Sequence, residues 1–199
     1  MEASSPAYPV RFTFEPAERI ARWRPLVAWL LVLPHLFVLY AIQIVASVCV
    51  LINWFAILFT GKMPEGLAGF PELQLRYQLR VMTYATFLQE EYPPFTFATE
   101  PTDPGDYPRM AVDVDPALTG RNRLTVFFRS LLVLPHIFVL VFVGLAAAIL
   151  IWIAWFVVIV TAKWPDGMRE FVIGYFRWTT RVTGYAFLLT DEYPPFTTR

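Results

Sequence analysis

Cysteine occurs once in the 199 residues, histidine twice and lysine twice, and charged side chains make up only 16% of the chain. The single Cys49 excludes an intramolecular disulfide and, lying inside an apolar run, reads as a small buried hydrophobe. The two histidines have no Cys, Asp or Glu beside them in the apolar runs, so no metal-ligand set is expected. The chain shows no Ser-His-Asp arrangement, no phosphate-cradling Gly loop and no Cys-x-x-Cys pair, and neither catalysis nor a cofactor is expected. The formal net charge is zero, and no nucleic-acid partner is expected.

Apolar surface is abundant instead. The chain is 57% hydrophobic and 17% aromatic, where a soluble domain is about 45–50% apolar; a bilayer must supply part of its solvent. Arginine outnumbers lysine fourteen to two, and most arginines stand just outside the apolar runs. There a guanidinium fork grips phosphate oxygens bidentately. Residues 1–25 carry Glu2, Glu15 and Glu18 and no apolar core, which argues against a cleaved secretory signal. Both termini are expected on the cytoplasmic side of a multi-pass protein of the cell membrane.

The second half repeats the first. At an offset of 101, residues 31–95 align without a gap, with 28 of 65 positions identical. LVLPHLFVL becomes LVLPHIFVL, and EYPPF returns at the end of each copy. The only histidines, His35 and His136, are repeat partners, as are the only lysines, Lys62 and Lys163. Arg76 pairs with Arg177, Arg80 with Arg181 and Tyr84 with Tyr185. Upstream, Tyr8-Pro9 answers Tyr107-Pro108 with a small length difference. The boundaries are repeat 1 over 1–99, a polar linker over 100–106 and repeat 2 over 107–199.

Each copy opens on an alternating run, Val10, Phe12 and Phe14 or Met110, Val112 and Val114, which suggests a short β-strand. A basic stretch follows, then an apolar run over 26–59 or 130–162 whose one ionisable histidine is its only charge-capable group besides Cys49 and Tyr40. As one helix such a run reaches about 50 Å, beyond the roughly 30 Å hydrocarbon core. The favoured expectation is a tight helical hairpin turning near Gln43 and Gly144, which puts equivalent motifs of both copies on one side. The alternative is one long span kinked at Pro34, which inverts the copies. An amphipathic helix should follow, with Arg76, Arg80 and Tyr84 in one stripe, lying on the membrane surface. The expected fold is therefore mainly α and membrane-integral, in two tandem units of strand, membrane helix and interfacial helix.

RWRPLVAWLLVLPH, WFAILFTGKMPEG, RYQLRVMTYATFL and EYPPF in copy one, with LLVLPH, AKWPDG and FRWTTRVTGYAFLLTDEYPPF in copy two, resemble the prokaryotic membrane family called domain of unknown function 4389. The resemblance implies a bacterial membrane protein and brings no activity, ligand or catalytic residue with it. Copy two departs from the pattern at Ala162, where copy one has Gly61, and in its basic stretch.

Two sets of residues stand out. Arg76, Arg80, Arg177, Arg181, Lys62 and Lys163 suit anionic lipid headgroups, with internal pairing to Glu90, Glu91, Asp191 and Glu192 as the competing reading. His35 and His136 form an intramembrane polar pair if the copies meet about a twofold axis; otherwise each satisfies a carbonyl freed by its preceding proline or sits at headgroup depth. EYPPF is expected to dock on its own unit. The function expected is a non-enzymatic, lipid-organising or accessory subunit partnered by phospholipid and a membrane protein; the alternative is a small transporter or channel component using the histidines.

Overall fold

The computed structural model describes residues 8–198; the terminal residues whose sidedness was expected to be cytoplasmic lie outside them. The elements are β1 (Val10–Phe14), α1 (Arg24–Thr60), α2 (Glu65–Ala85), β2 (Met110–Val114), α3 (Arg123–Phe127), α4 (Arg129–Thr161) and α5 (Asp166–Ala186).

The apolar runs are not hairpins. Helix α1 runs unbroken for 37 residues and α4 for 33, straight through Gln43 and Gly144. A turn there would strand backbone polar groups in the middle of an apolar sequence, whereas a continuous helix satisfies them all. Gln43 meets Gln74 of α2, and Gly144 leaves room for Tyr175 of α5, whose hydroxyl would lie 3.1 Å from an added Cβ. Pro34 and Pro135 sit inside the helices without ending them. Beside each, a tyrosine hydroxyl donates to a helix carbonyl, Tyr92 to Leu31 and Tyr193 to Leu132, both at 3.2 Å. This offsets the ladder that a proline ring loosens.

Both long helices end in a left-handed residue, Gly61 at φ 73° and Ala162 at φ 60°, whose N–H closes onto Ile57 or Val158. The chain then reverses, and α2 runs back along α1 as α5 does along α4. These return helices were expected on a membrane surface, yet they are interior: Leu75, Arg76, Tyr77, Arg80 and Tyr84 of α2 are all buried. The helix is enclosed because its arginine stripe is neutralised from within.

Strands β1 and β2 pair antiparallel across the copies, centred on Phe12 opposite Val112. Copy two carries two more residues than copy one between the Tyr-Pro pair and the long helix; the first is taken up ahead of the strand at Arg109, in left-handed conformation at φ 64°. Val10 of β1 packs on Gly184 of α5, while β2 meets α2 through Thr83 and Met110. Each copy's strand thus touches the other copy's helix, and one core mixes Phe12, Leu75 and Leu79 with Val112, Val172 and Phe176. Burying each large side chain contributes about 1.5–3 kcal/mol.

The copies run head to tail. Trp155 Nε1 donates to Pro25 at the start of α1 at 2.8 Å, and Trp54 Nε1 donates to Val126 just before α4 at 3.1 Å. Ile20 N–H bonds Ala162 and Arg121 N–H bonds Gly61, at 2.9 and 3.2 Å. Helices α1 and α4 are therefore antiparallel, and equivalent motifs lie at opposite ends of the molecule rather than on one side.

Candidate functional site

Each histidine sits in an aromatic box built by its own copy. His35 is fully buried, stacked on Phe95 with ring centroids 4.2 Å apart and flanked by Tyr92 at 4.7 Å. Its Nδ1 lies 2.7 Å from the Tyr77 hydroxyl. Burial pushes Tyr77 up to about 12, so that hydroxyl keeps its proton. In copy two, His136 stacks on Phe196 at 3.9 Å with Tyr193 at 4.8 Å, and the indole N–H of Trp178 donates to Nδ1 at 3.2 Å. Tyr77 and Trp178 differ in chemistry but share a sequence position and a role: each hydrogen-bonds Nδ1 of its own copy's histidine. The histidines were expected to pair, to serve the carbonyl freed by proline or to sit at headgroup depth. They do not pair: the copies hold the two imidazoles in separate clusters, each Nδ1 meets Tyr77 or Trp178, and the tyrosine of EYPPF donates to Leu31 or Leu132 beside the proline. EYPPF docks on its own unit, as expected.

The arginine stripes form two cradles beside the sheet. Arg76 and Arg80 are buried. Their partners are not Glu90 and Glu91 but Asp103 and Asp106 of the linker. Asp103 Oδ2 lies 3.2 Å from Arg76 Nε and its Oδ1 3.3 Å from Arg80, while Asp106 meets Arg80 at 2.6 Å. Burial opposes ionisation of Asp106, yet bonds from Thr96 and Arg80 outweigh it and hold the carboxyl below its usual range. Asp103 also accepts the Val112 N–H at 3.0 Å, so the cradle seals the outer edge of β2. In copy two, Arg177 donates to the Thr198 carbonyl at 3.2 Å, and Arg181 lies buried behind Tyr8.

Glu90 instead accepts the Ala21 N–H, and Asp191 binds Arg121 and Arg129. Burial opposes its charge, but the Arg121 bond and the Asn122 N–H hold the Asp191 carboxyl low. The arginines that lead into the long helices are also equivalent in role. Arg24 lies 3.8 Å over the Tyr84 ring and donates to Gln89, while Arg129 lies 3.9 Å over Tyr185 and donates to Thr190. At the repeat offset Arg129 aligns with Ala28, one turn beyond Arg24 on the same helix face. The function survived a shift of four residues that alignment alone conceals.

Lys62 and Lys163 remain exposed at the helix ends, their N–H groups held by Thr60 and Thr161 at 3.1 and 3.2 Å. Sequence reasoning missed Asp103, Asp106, Arg11 and the buried Glu72. The linker carboxylates carried one legible signal, since the positions aligned with them ahead of Tyr8-Pro9 are Ser4 and Ala7.

Two membrane-length apolar helices, each backed by a return helix and joined through a shared sheet, define a duplicated helical protein. The chain belongs to the family described as Domain of unknown function (DUF4389), which matches residues 22–96 and 123–198 as two tandem copies. No curated protein and no solved structure matches it.

Proposed function

We propose that this protein is a non-enzymatic component of the cell membrane that organises lipid or seats a membrane-protein partner. The observation carrying this reading is the outward half of α1 and α4, where Leu30, Phe37, Leu51, Phe55, Phe138 and Phe156 stand exposed along the full length of the helices. Both helices are long and apolar enough to cross a bilayer. Monomeric soluble proteins rarely expose apolar patches beyond a few hundred Å², and lipid chains are the natural solvent for one that follows two whole helices. An apolar run of about 50 Å exceeds a roughly 30 Å core, so each helix crosses once with a steep tilt. Because they are antiparallel, they cross in opposite senses. Between α4 and α5 an apolar groove of about 720 Å³, lined by Val133, Ile137, Val141, Gly144 and Tyr175, has the character of an acyl-chain site.

Supporting this reading, Arg76, Arg80, Arg121 and Arg129 meet carboxylates and carbonyls of their own chain, and the histidines are closed in aromatic boxes. No observation favours transport through those histidines. Gentle extraction followed by native mass spectrometry is expected to show bound anionic lipid or a protein partner. Absence of both, or release of the chain from membranes by alkaline carbonate, refutes the reading.

A further inference from the structure

The two helix pairs are built alike and sealed differently. In copy one Gln43 of α1 and Gln74 of α2 bond to each other across the pair, and one turn further along α2 Gln78 bonds the Met82 sulfur. At the repeat offset these four residues become Gly144, Tyr175, Thr179 and Thr183. The side chain on the long helix vanishes, and two long ones on the return helix shrink. What opens in copy two is the groove of about 720 Å³ between α4 and α5, whose described lining carries no charged residue. Tyr175 lies across Gly144, its hydroxyl 3.1 Å from where a Cβ would stand, so a side chain at this position would crowd it.

The groove also has a polar end. Its lining runs along α4 from Val133 to Leu145, about 18 Å at 1.5 Å per residue. Ile137, Val141 and Leu145 on its rim belong to the exposed apolar face of α4. Beside Val133, Ala186 is shared with a second cavity of about 400 Å³, lined among others by Ser47, Trp54, Arg129 and Ser130. Arg129 is the charged residue of that lining, and it shares the Asp191 carboxylate with Arg121, two guanidinium groups on one anion. A polar mouth with excess positive charge, followed by an uncharged slot, matches the order of groups in a phospholipid.

We propose that copy two holds one acyl chain of a phospholipid in the groove between α4 and α5, with the headgroup at the Arg129 and Ser130 end. Apolar walls that face each other across open space forfeit dispersion contacts until a group of matching shape lies between them. Beside a lipid-facing helix face, a hydrocarbon chain is that group. Copy one meets the same need with its own Gln43 and Gln74. The assignment rests on the membrane reading above and adds to it which copy makes the specific lipid contact.

The test uses the full chain in phosphatidylcholine nanodiscs that contain phosphatidylglycerol with a diazirine in one acyl chain. After irradiation, peptide mass spectrometry maps the adducts. Adducts in the groove are expected to exceed those at the matching residues of α1 and α2 on the order of tenfold, a preference of about 1.4 kcal/mol. Two variants install copy one's residues: Gly144→Gln with Tyr175→Gln, and Thr179→Gln with Thr183→Met. Each should cut the groove adducts on the order of tenfold and leave those on the outer face of α1 unchanged. The wild-type map decides even where a variant does not fold. Adducts spread evenly over both copies, groove adducts unchanged in both variants, or a groove that cross-links to a partner helix instead of lipid overturn the proposal and leave the membrane reading standing. A chain that takes no label on any helix strikes that reading and this assignment together.

Discussion

Glu72 is a carboxyl that costs this protein stability, and its cost should appear and vanish with pH. It lies on α2, 1% exposed, and neither carboxylate oxygen has a hydrogen-bond partner among the described residues. Burial pushes its pKa from 4.5 up to about 7, against a smaller pull from Arg76 one turn away. The folded state therefore keeps a proton that the unfolded state has already lost between pH 4.5 and 7. Stability is unaffected below that window, falls through it and levels off above about pH 7. A rise of about 2.5 units corresponds to about 3 kcal/mol. Glu72→Gln removes the charge at nearly constant shape, and Glu72→Ile installs the residue that copy two carries as Ile173. Thermal unfolding in mild detergent, followed by circular dichroism from pH 5 to 8, should show the variants gaining on the wild type as pH rises. Parallel curves across that range would refute the reasoning, because they would mean that Glu72 ionises in the folded protein as easily as in the unfolded chain.

Asp103→Asn leaves the buried Arg76 and Arg80 short of a counter-charge and should destabilise by about 3–5 kcal/mol; a loss below 1 kcal/mol in the same unfolding assay would argue against a neutralised cradle. Tyr77→Phe and Trp178→Phe each remove the hydrogen-bond partner of a buried imidazole, at about 1–3 kcal/mol apiece. Since the two boxes are separate, the losses should add in the double variant, and strong non-additivity in denaturant titrations would show that the boxes communicate. Ala162→Gly relieves a left-handed alanine at a helix end and should raise stability by up to about 1 kcal/mol, partly offset by the unfolded-state freedom of glycine. A lowered melting temperature would place the strain elsewhere.

Much of the local structure was legible in the chain. Period two marked the strands, runs of 33 or more apolar residues marked the long helices, and the duplication with its EYPPF tails was visible by inspection. These features depend on neighbours in sequence, through backbone geometry and side-chain alternation. The hairpin expectation failed because a length argument weighs a helix against membrane thickness alone and omits the backbone bonds that a turn would forfeit. The surface placement of α2 failed for a related reason. An arginine stripe looks solvent-seeking until the linker folds Asp103 and Asp106 over it.

Composition and pattern alone thus determined the apolar mass of this protein, its two copies and the residues that recur in both. Only the tertiary structure decided that the copies run antiparallel, exchange strands across one sheet, seal one arginine cradle with the linker and keep the two histidines apart. Each of those outcomes pairs groups about a hundred residues away in sequence, or brings in a linker that neither repeat contains. Which partner neutralises a charge is a property of the folded surface around it, and no window of sequence holds that surface.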